Sequence, residues 1–244
     1  MIHSTRLLRI LVLGSLGLPG AFALATEPDF VPMKMIQSVN PLYPPDALRL
    51  GITTGEARVS IQIDPAGRLS DHLVTAYTHP AFAESAVAAL KQWQFEPARL
   101  RGQPVSVTED LVFSFRSGAI VVEVNVLSIG DFLNARFVPN ANSFRACPPG
   151  ELDRIPTPIK VVKPDYAPEQ ARQGAAHVVV SFYIDPEGHV RLPAVSYATN
   201  HSNEELSAAA VTALEQWQFD PPRSGQRPAL VQAQQDFYFR AAAP

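Results

Sequence analysis

Two stretches of the chain alternate apolar and polar side chains with the period of a β-strand. In residues 57–63, Ala57, Val59, Ile61 and Ile63 fall on one face and Arg58, Ser60 and Gln62 on the other; Val178, Val180, Phe182 and Ile184 repeat the inward set. Each run ends in a turn with Asp first, Pro second and Gly fourth, Asp64-Pro65-Ala66-Gly67 and Asp185-Pro186-Glu187-Gly188. That chemistry suits a four-residue hairpin loop, so returning strands are expected over 68–76 and 189–197. Pro193 cannot donate to a ladder and marks a bulge or a sheet edge. The period then becomes helical. Phe82, Ala86, Leu90 and Trp93 share one face, and Leu206, Ala210, Leu214 and Trp217 repeat it. Pro80 suits a first helical turn, and Ser202-Asn203-Glu204-Glu205 fits a capping box.

Both helices close on nearly the same phrase, Trp93-Gln94-Phe95-Glu96-Pro97 and Trp217-Gln218-Phe219-Asp220-Pro221. A polar loop with Gly102 or Gly225 then leads to a last strand, 105–115 or 229–239. Upstream, Pro41-Leu42-Tyr43-Pro44 and Pro164-Asp165-Tyr166-Ala167 each precede a short helical stretch, 46–50 or 169–173, that stops at Gly51 or Gly174. Self-similarity at this spacing means two copies of one small domain. The fold class read from it is α+β: two tandem β-β-α-β domains at 38–117 and 159–240, each a small antiparallel sheet with one helix on one face. Trp93, Phe95, Trp217 and Phe219 are the expected core anchors. Between the copies, at 118–158, Ile120, Val122, Val124 and Val126 predict one extra strand, which either augments one sheet or pairs with the other copy. The Pro-rich stretch 136–158 reads as an irregular linker.

At the N-terminus, Arg6 and Arg9 precede an apolar run at 10–22 and the small-residue pattern Ala23-Leu24-Ala25. Residues 1–25 are therefore read as a cleaved signal peptide, with the run too short and too interrupted by Gly and Pro to span a bilayer. The formal net charge of −3 becomes more negative once those arginines are removed, which argues against nucleic acid as a partner. With 46% hydrophobic and 18% charged residues the remainder can build ordinary cores.

Chemistry is sparse. Cys147 is the only cysteine and sits in the Pro-rich stretch with no nucleophile motif around it. None of His72, His79, His177, His189 and His201 has a ligand at helical spacing, and the Asp-Pro-x-Gly turns are explained by turn chemistry. Asp71, Glu84, Glu109 and Asp110 fall on different elements, giving no acid/base pair. No enzyme activity, cofactor or metal is expected.

The order of motifs resembles the C-terminal domain of TonB, the periplasmic energy-transducer family of Gram-negative bacteria. The residues that carry it are Pro41, Tyr43, Pro44, Ala47 and Gly55, the alternating strand, the Asp-x-x-Gly turn and Trp93-Gln94-Phe95-Glu96-Pro97, with most of the series present again in the second copy. The resemblance implies a periplasmic peptide-recognition module to which a segment of an outer-membrane transporter adds as a strand beside the last strand of the sheet. On that basis the partner-binding residues are Val105, Val107, Glu109, Leu111 and Phe113 in the first copy and Val231, Ala233, Gln235 and Phe237 in the second. Glu109, Asp110 and Asp236 either guard an exposed edge against aggregation or select the partner. The alternative is a scaffold or homo-oligomer building block in which the two copies pair with each other and bind no peptide.

Overall fold

The computed structural model describes residues 29–117, 119–125, 141–166, 176–199 and 204–239. The expected leader, the short helix at 169–173 and the Ser202-Asn203 half of the capping box lie outside the described residues. In chain order, β1 (Phe30–Val31) and β2 (Lys34–Gln37) precede the short helix α1 (Pro45–Arg49). Then come β3 (Thr54–Ile63), β4 (Leu69–Tyr77), α2 (Pro80–Leu90), β5 (Gln94–Glu96), the hairpin β6 (Ala98–Leu100) and β7 (Gln103–Val105), β8 (Val107–Arg116) and β9 (Ala119–Asn125). After β10 (Phe144–Arg145) and β11 (Pro158–Lys160) follow β12 (Ala176–Ile184), β13 (Val190–Ala198) and α3 (Glu204–Leu214). The chain continues through β14 (Gln218–Phe219), β15 (Arg223–Ser224), β16 (Arg227–Pro228) and β17 (Val231–Phe239).

The period-2 runs become the central strands of two antiparallel sheets, ordered β10-β4-β3-β8-β9 and β13-β12-β17. One helix covers one face of each. Val59, Ile61, Phe82, Leu90, Leu111 and Phe113 close the first core, and Val180, Ile184, Leu206, Leu214 and Phe239 the second. The class is α+β, with small antiparallel sheets and few helices among the described residues. Pro193 lies in β13, the outer strand of its sheet, beside register shifts, and Leu192 just before it takes φ 49°.

The repeated motifs are repeated because they touch. Gly67 and Gly188 take φ of 76° and 89°, and a Cβ at either would strike the carbonyl oxygen of Phe95 or Phe219. In the second copy the Phe219 N–H donates to the Gly188 carbonyl at 2.8 Å. Each turn is held by its first Asp: Asp64 Oδ1 accepts from the N–H of Ala66 and Arg68, and Asp185 Oδ1 from those of Glu187 and His189. The indoles of Trp93 and Trp217 donate to the carbonyls of Val39 and Val162, both at 2.8 Å, tying each helix end to the segment that enters its copy. Residues after each Trp form β5 and β14, which pair with β2 and β11, two short strands the sequence pattern does not announce.

Trp93, Phe95 and Phe219 are buried, whereas Trp217 packs against its core only half-buried. A second difference is compensated. Gly55 faces Phe115 and its counterpart Ala176 faces Phe239. A Cβ on Gly55 would stand inside the Phe82 ring, and where the first helix places Phe82 the second places Leu206.

Two stability predictions follow from this packing, both readable by chemical denaturation. Trp93→Ala should cost about 3–5 kcal/mol, and Trp217→Ala clearly less. Gly55→Ala should cost about 1–3 kcal/mol by overpacking. Adding Phe82→Leu should recover part of that loss, with a coupling of about 1 kcal/mol or more in a double-mutant cycle.

Candidate functional site

A border strand presents a row of unpaired N–H and C=O groups, and that row is what a sheet offers to an extended peptide. In the first copy the last strand does not offer it. β9 pairs with β8 from Asp110↔Asn125 to Arg116↔Ala119, so Leu111 and Phe113 sit in a strand with neighbours on both sides. Val107 and Glu109 face Ile63 and Ile61 of β3, and Val105 belongs to β7, opposite Ala98. The expected binding edge at 105–115 is thus corrected: the Val-rich run that starts at Ala119 folds back onto β8 and occupies most of its outer side.

The second copy differs. β17 pairs with β12 from Ala176↔Phe239 to Ile184↔Val231 and is the outermost strand of its sheet. The phase of its backbone can be read at both ends. The Thr199 N–H donates to the His177 carbonyl at 3.0 Å, so odd-numbered backbone groups of β12 face β13 and even-numbered ones face β17. In β17 the odd residues therefore turn to β12, and Gln232, Gln234, Asp236 and Tyr238 turn outward. Independently, the Cys147 N–H donates to the Leu230 carbonyl at 2.7 Å and Cys147 bridges Val231 in parallel, on the side away from β12.

Cys147 thus covers the start of β17. Beyond it, among the described residues, no strand flanks the outward groups of Gln234, Asp236 and Tyr238. The Asp236 carbonyl accepts only the side-chain amide of its neighbour Gln235, at 2.9 Å. This also corrects the expected residue set. Val231, Ala233, Gln235 and Phe237 lie on the helix side of the sheet with their backbone groups already paired to β12, and the groups open to a partner belong to the residues between them. Both alternations were present in the sequence; the missing datum was which side of β17 is bare.

The open face beside this edge is aromatic. Tyr238, 67% exposed, stacks on His177 with ring centroids 4.5 Å apart, and Tyr197 meets the same ring edge-on at 5.7 Å. Asp236 Oδ1 lies 2.7 Å from His177 Nε2, so this carboxylate already has a local partner.

The two copies meet across the open face of the first sheet. Arg58, Ser60 and Thr75 there are buried. The Ser60 hydroxyl donates to Asp110 and shares a hydrogen bond with Tyr183 of the second copy. Arg191 grips Asp71 with two nitrogens, Nε to Oδ2 at 3.0 Å, and reaches the His72 carbonyl at 3.2 Å. Ala146, Tyr183, Leu192 and Leu230 form a small apolar cluster against Leu73 and Phe144. The stretch expected to be an irregular linker supplies part of it: Phe144 and Arg145 pair with Tyr77 and Ala76, and the Ala146 N–H donates to the Thr75 carbonyl at 2.7 Å. Asp110 is therefore neither an edge guard nor an exposed selector. Burial raises its carboxyl above the ordinary value, opposed by the Ser60 hydrogen bond and Arg58.

Other candidate chemistry is weak. Burial raises the Cys147 thiol, which disfavours the reactive thiolate. Asp185, Glu187 and His189 bring ligand atoms within 4.8 Å of one another, but Asp185 Oδ1 is engaged in the turn itself.

The family model for the Gram-negative bacterial TonB protein C-terminal matches the chain twice, over residues 39–117 and 162–241. The chain belongs to this family and carries two tandem copies of its domain. No curated protein matches it. The family supports an envelope protein-interaction module of the periplasmic side of Gram-negative bacteria, and among the described residues no helix is long and apolar enough to cross a membrane.

Asp110 makes the seam between the copies testable. Its raised carboxyl favours the folded state while protonated, so that contribution is present below its ordinary value of 3.8 and is lost as pH rises through the higher folded value. Asp110→Asn keeps an acceptor for Ser60 and should flatten the decline of stability as pH rises above about 4, by up to about one proton in slope, in thermal melts.

Proposed function

We propose that the protein is a non-catalytic adaptor of the periplasm that holds a peptide segment of an envelope partner by strand addition to β17. The first copy is its scaffold and the second its reader. The observation that carries this reading is the asymmetry of the last strands: β8 is flanked by β3 and β9, whereas β17 has only β12 beside it from Gln234 to Phe239 among the described residues. Main-chain bonds to Gln234, Asp236 and Tyr238 would supply affinity, and side chains on the aromatic open face would supply selectivity. A periplasm-facing segment of an outer-membrane transporter is the partner class that family membership favours.

Scaffold and reader need not be alternatives. The copies contact each other through a sheet face and the strap at 144–147, which takes up only the start of the β17 edge. The tandem arrangement therefore stiffens the reader without consuming it.

The test uses peptides from the periplasmic N-terminal segments of such transporters, titrated by calorimetry. Gln234→Pro and Asp236→Pro each delete an outward N–H and should lower affinity at least about tenfold with the melting temperature nearly unchanged. Val231→Pro instead removes a bond to β12 and should destabilise the second copy. Undiminished binding by both edge variants would rule out strand addition at β17.

A further inference from the structure

A groove of about 740 Å³ runs between the two copies, distinct from the β17 edge. Leu100, Val105 and Val107 of the first copy form one wall, and Val195 and Val211 of the second form the other. Its strands are short of neighbours. Among the described residues β9 pairs with β8 no further than Asp110 and no strand lies beside the outward backbone of Thr108, and β13 is an outermost strand. Two carboxylates, Glu109 from β8 and Glu215 just after α3, also line it. Among the described residues neither has a hydrogen-bond or ion-pair partner. Burial raises both carboxyls, and Asp110 adds to the effect at Glu109.

The trough is apolar, and of its two unpaired acids Glu109 is half-buried and Glu215 is exposed at the rim. A neutral occupant would strip water from both carboxylates without replacing it, and an anionic one would add repulsion. A cation beside them would offset that cost, and the groove already shows the pairing at one point: Glu204, another lining residue, meets Arg101 at 3.2 Å. We propose that this groove is a second binding site, for an extended peptide segment that alternates apolar side chains with lysine or arginine. The apolar side chains fill the trough, the cations pair with Glu109 and Glu215, and the backbone meets the uncovered Thr108.

The probe is a capped pentapeptide alternating valine and lysine, titrated into the full chain by calorimetry, with amide shift mapping to locate it. The expected result is saturable binding that shifts residues 105–109 and 207–215 and weakens at least about tenfold in the Glu109→Gln/Glu215→Gln double variant. That variant should melt as high as the parent or higher. Gln234→Pro should bind the probe unchanged, and the valine–glutamate peptide should not bind. Absence of binding, equal binding by the double variant, or loss of binding in Gln234→Pro would each overturn the proposal, the last by moving the probe to β17.

Discussion

The N–H groups of Ala146 and Cys147 leave the chain in opposite directions, one to the Thr75 carbonyl of the first copy and the next to the Leu230 carbonyl of the second, both at 2.7 Å. Alternation along an extended strand dictates this: successive residues present their backbone groups to opposite sides. A single strap laid between two sheets therefore stitches them together. Ala146 is buried in the apolar cluster at the same place, and Arg191 with Asp71 and Tyr183 with Ser60 close the rest of the contact. The relation of the two copies rests on this seam.

Two consequences reach the edges. The strap uses the outer side of β17 at its first residues and stops there, so among the described residues no strand lies beside the remaining outward groups. On the first sheet β9 occupies the corresponding strand, and β10 pairs with β4 on the opposite border. Among the described residues, the last strand of one copy thus has a neighbour on each side, while the last strand of the other keeps a bare side. Charge follows the same division. Asp110 is drawn into the seam, whereas Asp236, opposite Val179 on the bare strand, remains beside solvent with His177.

Local chemistry made much of this legible in the sequence. The alternation of Val59 and Ile61, the Asp and Gly of each turn, and Pro80 each report on their own few neighbours, and each is found in the element its pattern implies; the Trp-Gln-Phe phrase lies just past the helix, with its Gln and Phe in a short strand. What stayed hidden depends on partners distant in the chain. Phe144 and Arg145 look like linker residues because a two-residue strand has no periodicity to detect, and only the edge of β4 gives it a place. The same reason hid β2 and β11. In the candidate site, the sequence pointed to last strands in general but could not distinguish a last strand that the next run covers from one that remains bare. It also could not assign the backbone side: Val231, Ala233, Gln235 and Phe237 turn their backbone groups to β12, and Gln234, Asp236 and Tyr238 turn theirs outward.

Amide hydrogen exchange of the free protein measures that asymmetry directly, residue by residue. The N–H groups of Val112 and Ser114 point to β9, and their counterparts Asp236 and Tyr238 point to no strand among the described residues. The account predicts slow exchange at Val112 and Ser114 and fast exchange at Gln234, Asp236 and Tyr238, while Ala233, Gln235 and Phe237, bonded to β12, exchange slowly. Strong protection of Gln234, Asp236 and Tyr238 would contradict it, because the border of the second sheet would then already be taken.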